Sequence, residues 1–425
     1  MSAEHVVLNV NVLDIGIHLA AWQNSGLAPT AFVDPDYFAD MARLAEHGTL
    51  DALFLADGPA LREDPRLKPS RALEPSAILA LVAAETEYLG VIGTLSTTFN
   101  DPVELAHRLL SLDHLSNGRA AWNVVTTYSP QAGHNFGLND YPERSVRYRR
   151  AAEFVDVVLQ LWSAAGTAVP VAHHGEFFDV EGLLPLGASP QRHPLIVQAG
   201  GSPQGRALAA RSANAVFSAE LTLDAGRHHY RQVKDDARGQ GRGPDDVAIL
   251  PGLITVLGKT REEAVRRFEH LERYLPEYYS LDRLSTVLGY DLRGHDLDAA
   301  VPDEALADVD PDNFTASLGF RESIVRSIQE SGATVRDAVR EFSGGGHRIA
   351  VGSAEDVADT IETWFRAGAA DGFNLMPDVF PSGLEDFVEH VVPILRDRGL
   401  FRREYAETTL RERFSSVNSL DRAVG

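Results

Sequence analysis

The chain has 425 residues, with 61 acidic and 39 basic residues, a formal net charge of −22 and no cysteine. The absence of cysteine excludes disulfides, thiolate catalysis and iron–sulfur clusters, and an acidic chain without a basic cluster argues against a nucleic acid or an anionic membrane as a partner. No apolar run is long enough to cross a bilayer and the N-terminus lacks the features of a signal peptide, so we expect a cytoplasmic protein that binds neither nucleic acid nor membrane.

Strand-like apolar runs recur along the chain, and most are continuously apolar, which is typical of strands buried on both faces. Helical patterns lie between most of them, and such alternation indicates a parallel sheet. The length suits an α/β barrel with insertions. We therefore predict a (β/α)8 TIM barrel, with an open doubly wound sheet as the alternative. The predicted strands are 6–13, 52–57, 88–97, 120–127, 194–200, 215–220, 248–258 and 372–377.

Three polar or glycine-rich segments, 58–73, 128–147 and 274–347, exceed what a minimal barrel needs. Long ordered loops in a compact domain usually form lids or binding loops. Since no repeat or flexible linker divides the chain, we expect a single domain, residues 1–425, with a lid insertion at 274–347. The run SGGGH, residues 343–347, predicts a hinge at the end of that insertion.

Polar side chains lie at the ends of several predicted strands, where the chemistry of an α/β barrel is found. Asp57 ends the run ALFLAD, and a carboxylate there can act as a base, bind a metal, accept a hydrogen bond or simply stabilise a turn. Asn9 and Asn11 in the first strand can bind a ligand or each other. Hydroxyl and amide groups at two further strand ends are Thr94, Ser96, Thr97, Asn123, Thr126 and Thr127.

The run IVQAGGSPQGRALAA, residues 196–210, joins a strand to a helix through Gly200, Gly201 and Ser202. Backbone N–H groups at a helix N-terminus favour phosphate. The glycines lack the G-x-G-x-x-G spacing of dinucleotide sites, and no acidic residue follows about 20 positions later. The turn therefore predicts a site for a single phosphate, as in FMN, with a tight turn that binds nothing as the alternative.

Two blocks of the sequence resemble one enzyme family. The first, within residues 94–127, contains STTFNDP, LDHLSNGR and WNVVTT, and the second, within 371–405, contains DGFNL, VVPIL and RGLFRREY. Both are similar to the bacterial luciferase-like flavin monooxygenases, in the branch of nitrilotriacetate, EDTA and dibenzothiophene-sulfone monooxygenases. The resemblance implies a luciferase-like barrel enzyme that uses dioxygen and reduced FMN, supplied by a separate NAD(P)H:flavin reductase, to oxygenate a small organic substrate (an amine, a sulfur compound or a natural product). It also implies a homodimer or homotetramer.

The same resemblance identifies candidate site residues. Arg144 stands where the family typically has a histidine, on the same helix face as Tyr148 four residues later. An arginine there can pair with the phosphate or lie exposed without a ligand. A family mechanism that needs the histidine as an acid or base does not apply to this chain. His18 and Asn123 are the candidate catalytic residues, and a structural role is the alternative for His18. The expected FMN contacts are Asp57, Thr94, Asn123, Arg144, Tyr148, Gly201 and Ser202.

Other site types receive less support from the sequence. The pairs His173–His174 and His228–His229 lack ligand spacing, because neighbours in a strand face opposite sides, so no metal site is predicted. Two enzyme classes remain as alternatives: a deazaflavin-dependent oxidoreductase of the same superfamily, and a metal-free barrel hydrolase with paired carboxylates such as Asp57 and Glu220. A flavin-binding protein without turnover is a further alternative. Basic residues that can bind an anionic substrate are Arg62, Arg66, Lys68, Arg283 and Arg293.

Overall fold

The computed structural model describes residues 5–60, 73–127, 129–139, 141–199, 201–274, 277–310, 314, 316, 318–342 and 346–418. Within these ranges the strands are β1 (Val7–Asn11), β2 (Ala52–Leu55), β3 (Gly90–Ser96), β4 (Ala120–Val125), β5 (Val171–His174), β6 (Asp179–Gly182), β7 (Leu195–Ala199), β8 (Ala215–Ser218), β9 (Ala248–Leu257), β10 (Arg348–Gly352) and β11 (Gly372–Pro377).

The helices lie mostly between the strands, as the sequence pattern predicts. The α-helices are Ala21–Asn24, Pro35–His47, Pro75–Glu85, Pro102–Leu115, Pro130–Asn135, Arg144–Ala164, Pro203–Ser212, Leu223–Gly239, Arg261–Glu272, Glu277–Leu288, Asp303–Leu306, Leu318–Ser331, Val335–Phe342, Ala354–Arg366, Ser382–Asp386, Val392–Asp397 and Leu410–Asn418. Short 3-10 turns span Ala31–Val33 and Pro244–Asp246, and a π-helical turn spans Phe387–Val391.

Eight of the strands form a closed parallel barrel in the order β1–β2–β3–β4–β7–β8–β9–β11, with β11 paired to β1. The ring closes because β8 also pairs with β9, through Ala215 and Ala248. The predicted (β/α)8 barrel is confirmed, and the open-sheet alternative is wrong. Every predicted barrel strand is present, and several end one or two residues earlier than predicted.

The strand register determines which side chains point into the barrel, because residues paired across neighbouring strands lie on the same face. Barrel interiors fill in layers contributed by alternate strands. Following the register gives one layer that consists of Phe54, Asn123, Phe217 and Asn374. The next layer, closer to the carboxyl ends of the strands, consists of Asn11, Thr94, Ala199 and Gly252. In the first layer, the ring centres of Phe54 and Phe217 lie 5.5 Å apart. The outer layer therefore consists of small and polar side chains rather than apolar ones.

The sequence did not predict two pieces of sheet. The antiparallel hairpin β5–β6 is exposed or half-buried at most positions, so it lacks the apolar run that identifies a strand. Strand β10 adds to the outer edge of β9 in the barrel sheet. It follows directly on the predicted hinge, of which residues 343–345 lie outside the described part of the chain.

The insertion predicted at 274–347 is helical and has an apolar core of its own. Its helices Glu277–Leu288, Leu318–Ser331 and Val335–Phe342 bring together buried leucine, isoleucine and valine side chains, among them Leu284 and Ile324. This separate core lets the insertion fold as a compact layer against the barrel. No helix among the described residues is long and apolar enough to span a membrane.

The C-terminal helix Leu410–Asn418 closes the amino-terminal end of the barrel. Leu410 and Phe414 belong to the same apolar cluster as the interior side chains Ala52 and Ala121. These interior residues are small, so the helix fills space that the strands leave open. The amino-terminal end is thus packed, whereas the carboxyl end contains polar groups.

Candidate active site

Thr94 and Asn123 come together inside the carboxyl end of the barrel. They are direct neighbours on β3 and β4, and Asn123 Nδ2 donates to Thr94 Oγ1 at 2.9 Å. Both side chains are buried, with 4% and 3% of their surface exposed. The structure therefore places these two predicted contacts on one polar patch of the barrel wall.

The predicted phosphate turn has the geometry of a capped helix. Ser202 is the N-cap of the helix Pro203–Ser212, and its Oγ accepts from the Gly205 N–H at 3.2 Å. Tyr148 Oη lies 3.2 Å from the same Oγ. Arg206, one turn into the helix, donates from Nη1 to the Gly201 carbonyl at 2.8 Å. Two predicted residues, Tyr148 and Ser202, are thus in contact, and Arg206 adds a positive charge to the turn.

Arg144 is the first residue of the helix that also contains Tyr148, and 6% of it is exposed. Its Nη2 donates to the Phe314 carbonyl in a long hydrogen bond of 3.5 Å. The alternative of an exposed arginine at the helix start is therefore wrong. The guanidinium joins the barrel helix to the insertion on the side where Tyr148 meets the phosphate turn.

Asp57 lies two residues beyond the end of β2 and is exposed. It lines a cavity of about 170 Å3 together with Thr94 and Phe136. The prediction that Asp57 ends the strand itself is wrong, but the carboxylate does lie beside the Thr94–Asn123 pair.

His18 makes protein contacts through both ring nitrogens. Its Nδ1 accepts from the Ala20 N–H at 3.1 Å, and its Nε2 lies 3.0 Å from Glu272 Oε1. The neighbouring Asp378 forms an ion pair with Arg267 at 2.6 Å, and burial raises the pKa of Asp378 while Arg267 opposes that rise. These contacts favour the structural role over the catalytic one for His18.

Several buried polar atoms near the barrel mouth have no hydrogen-bond partner among the described residues. They are Asn9 Oδ1, both amide atoms of Asn11, and Asn123 Oδ1. The first of these side chains does bind a neighbour, since Asn9 Nδ2 donates to Asn374 Oδ1 at 3.0 Å. Unpaired buried polar atoms destabilise a fold by about 1–3 kcal/mol each, so they usually mark a ligand or an ordered water. Asn9 lies deeper in the barrel, whereas the unpaired atoms of Asn11 and Asn123 lie in the two layers nearest the carboxyl end, where a polar ligand can reach them.

The sequence did not identify His347 as part of the barrel mouth. A side chain at Gly252 would meet His347 Nδ1 at 2.3 Å, so the imidazole occupies the position that the glycine leaves free. The ring stacks on Phe217 at 5.2 Å, and burial lowers the pKa of His347 to about 4. Gly252 could have indicated this contact, because a glycine inside a continuous strand pattern often marks a close approach by another part of the chain.

The structure separates the two carboxylates of the hydrolase alternative. Asp57 lines the cavity beside β3, whereas Glu220 lines a different cavity beside β8. Among the described residues no group of three or more histidine, aspartate or glutamate side chains could hold a metal ion. The residues His228 and His229 lie in a helix rather than in a strand, which corrects that part of the prediction.

The structure describes two of the five predicted basic substrate contacts, Arg283 and Arg293. The guanidinium carbon of Arg283 lies 5.8 Å from the centre of the Phe342 ring. Arg62, Arg66 and Lys68 lie outside the described residues. Arg293 is exposed and pairs with Asp291 at 2.8 Å.

Comparison with known proteins identifies the family. The family model described as luciferase-like monooxygenase matches residues 15–371. The N-acetyl-S-(2-succino)cysteine monooxygenase of Bacillus subtilis (strain 168) is 36% identical, over 99% of this chain and 98% of its own. Nitrilotriacetate monooxygenase component A of Aminobacter aminovorans is 37% identical, over 93% of each chain.

A solved structure agrees with these sequence matches. Riboflavin lyase, crystallised with modified FMN and its substrate riboflavin, superposes with a TM-score of 0.84 and 27% identity, covering 97% of this chain and 96% of the lyase. Because the family match spans most of the sequence and the barrel and its polar mouth agree with it, the chain belongs to the luciferase-like monooxygenase family and is a flavin-dependent monooxygenase.

Proposed function

We propose that this protein is the oxygenase of a two-component system that takes reduced FMN from a separate NAD(P)H:flavin reductase and uses dioxygen to oxygenate a small organic substrate. The contact between Tyr148 and Ser202 at a capped helix N-terminus carries the proposal. The name of the nitrilotriacetate relative, component A, supports a partner component, and the lyase structure supports FMN.

The residues at the mouth fit FMN better than a dinucleotide. Ser202 with the N-terminal N–H groups of its helix offers one phosphate site, and Arg206 lies beside it. The unpaired Oδ1 of Asn123, next to Thr94, can accept a hydrogen bond from the isoalloxazine ring. We propose Asp57, Thr94, Asn123, Arg144, Tyr148, Gly201 and Ser202 as the FMN contacts.

When bound, reduced FMN supplies the electrons that activate dioxygen, and the protein supplies binding, orientation and a dry site. Tyr148 and Ser202 hold the phosphate end and so fix how far the ring system reaches into the barrel. Thr94 and Asn123 orient that ring from the β3–β4 wall. Leu410 and Phe414 pack against the interior side chains at the amino-terminal end of the barrel and so hinder the entry of water at that end.

We further propose one domain, residues 1–425, in which the insertion 274–347 serves as a lid. The described part of this insertion approaches the phosphate turn closely, because a side chain on Gly201 would lie 3.1 Å from Gly319 Cα. A segment that touches the cofactor turn and has its own core can move as a unit to admit and enclose ligands. We also propose a homodimer or homotetramer and a transient contact with the reductase.

The experiment that tests the function is an anaerobic titration of the apoprotein with dithionite-reduced FMN, followed by mixing with oxygenated buffer. We expect saturable binding, and a slower return of oxidised-FMN absorbance than free reduced FMN shows, because the site shields the flavin from water. A matched titration with a reduced deazaflavin should show weaker binding. Tight deazaflavin binding without FMN binding would instead support the oxidoreductase alternative, and binding of neither would reopen the hydrolase alternative.

A further inference from the structure

A second cavity, of about 160 Å3, lies between the carboxyl ends of β7 and β8 and the insertion helix Leu318–Ser331. It shares Gly201 with the phosphate turn, but neither Tyr148 nor Ser202 lines it. The cavity is therefore next to the proposed flavin phosphate without coinciding with it.

The inner end of this cavity contains a buried carboxylate that lacks a full set of donors. Glu220 is 8% exposed, and its Oε2 accepts from the Ser218 hydroxyl at 2.7 Å. Its Oε1 lies 3.7 Å from His229 Nδ1, which is too long for a hydrogen bond. His229 is also 8% exposed, and its Nε2 has no partner among the described residues. This end of the cavity therefore offers a carboxylate oxygen to a ligand that donates hydrogen bonds.

The walls of the cavity are largely aromatic. Phe217 stacks on His347 at 5.2 Å, and Phe320 of the insertion meets the same imidazole edge-on at 5.4 Å. Burial lowers the pKa of His347 to about 4, so this ring brings no positive charge at neutral pH. Arg206 also lines the cavity, but its guanidinium binds the Gly201 carbonyl and lies 3.8 Å from Asp236.

We propose that this cavity binds the protonated amine of an aromatic or bulky apolar amine substrate. The ammonium group donates to Glu220 Oε1, and the apolar body packs between Phe217 and Phe320. A buried carboxylate with a free acceptor site favours a cation over an anion, because an anion would add a second unpaired negative charge. This inference names a substrate class for the proposed monooxygenase and rests on that function.

The test is calorimetric titration of the full-length protein with 2-phenylethylammonium, with its anionic analogue 3-phenylpropionate as the comparison ligand. We expect the ammonium ligand to bind at least about tenfold more tightly than the carboxylate, because hydrogen bonds to charged groups are stronger than those between neutral groups. Glu220→Gln keeps the size of the side chain and its bond to Ser218, and should weaken ammonium binding by about 10- to 100-fold.

Glu322→Gln is the matched control, since Glu322 lines the same cavity at its exposed rim. This variant should bind 2-phenylethylammonium with an affinity within about twofold of that of the wild type, because exposed charges interact weakly. Phe320→Ala provides a second, independent variant. It should weaken 2-phenylethylammonium binding by removing an aromatic wall, and it leaves the carboxylate of Glu220 in place. Equal binding of the two ligands, no binding of either, or an unchanged affinity in Glu220→Gln would overturn the inference.

Titrations with and without saturating FMN separate the two proposals. Binding of the amine by a protein that does not bind FMN would leave the amine site standing and reject the proposed function. FMN binding without amine discrimination would reject the amine site alone.

Discussion

Ser202 has two tasks that a substitution can separate. Its Oγ caps the helix Pro203–Ser212 by accepting from Gly205, and it also faces Tyr148. Aspartate is as good an N-cap as serine, so the helix start survives a change to aspartate. The added negative charge would then act only on an anion bound at the turn.

We predict that Ser202→Asp weakens FMN binding by about 10- to 100-fold, as expected for a carboxylate placed against a phosphate at a partly buried site. Fluorescence titration of oxidised FMN measures the change. Thr260→Asp is the control, because Thr260 caps the helix Arg261–Glu272 in the same way and is exposed. An unchanged affinity in Ser202→Asp would remove the serine from the phosphate site.

Arg144 tests whether this chain has replaced the function of the usual histidine. We predict that Arg144→His preserves FMN affinity within about threefold, because the family's usual histidine can replace the arginine as a flavin contact while the Tyr148–Ser202 pair and the helix N-terminus still hold the phosphate. The loss of the bond to the Phe314 carbonyl should affect the lid rather than the turn. A large fall in FMN affinity, measured by the same titration, would show that the guanidinium itself binds the phosphate.

The sequence predicted individual site residues unevenly. Thr94, Asn123 and Ser202 were identifiable because they lie at strand ends or in a glycine turn, and Tyr148 was identifiable through the family resemblance. The structure brings these four residues together in two pairs. His347 was not identifiable, because its imidazole occupies space that is free only because residue 252, far away in the chain, is a glycine. Contacts between distant segments leave little trace in a local pattern.

At the scale of elements, the contact between Gly201 and Gly319 joins the proposed phosphate turn to the proposed lid. Their backbones approach closely, and a side chain on Gly319 would lie 3.3 Å from Gly201 Cα. Any larger residue at Gly319 must move the insertion helix Leu318–Ser331 or the turn. The two glycines therefore set the closed position of the proposed lid.

We predict that Gly319→Val raises the Kd for FMN by about three- to tenfold, since overpacking at a tight contact destabilises by about 1–3 kcal/mol and part of this cost falls on the closed state. Gly187→Val is a suitable control, because no atom lies within 4 Å of the position of its side chain. If Gly319→Val binds FMN as the wild type does, the insertion does not close over the turn.

Barrel strands and peripheral strands differed in how well the sequence predicted them. The barrel strands are buried on both faces, so each appears as a continuous apolar run. The hairpin β5–β6 has exposed residues such as His174 and Asp179, and its strands are only four residues long. Burial rather than backbone propensity was the signal that could be detected.

At the scale of the whole molecule, the barrel has one packed end and one polar end. The C-terminal helix fills the amino-terminal end with Leu410 and Phe414. At the other end lie Asn11 and Asn123, whose buried amide atoms include some without a hydrogen-bond partner in the described part of the chain. Stability and ligand binding are thus divided between opposite ends of the same barrel.

Two buried histidines make the stability of the whole molecule depend on pH. Burial lowers the pKa of His347 to about 4, and burial followed by the nearby Arg411 lowers the pKa of His193 to about 4, from an ordinary value of 6.5. Above pH 6.5 both rings are neutral in the folded and unfolded chains, so they do not change the free energy of unfolding. As the pH falls below 6.5, the unfolded chain takes up protons that the folded chain does not, and stability decreases.

We predict that the free energy of unfolding decreases between pH 6.5 and about 5, by up to about 2 kcal/mol for each of these histidines. Most carboxylates stay ionised in this interval, so the histidines dominate the change. His347→Gln should flatten the pH dependence of urea unfolding, because glutamine does not titrate. The exposed His47, the last residue of the helix Pro35–His47, provides the control variant His47→Gln, which should change the slope less than His347→Gln does. An equal slope in wild type and His347→Gln would show that His347 is already protonated in the folded barrel, and would contradict a neutral imidazole at the mouth.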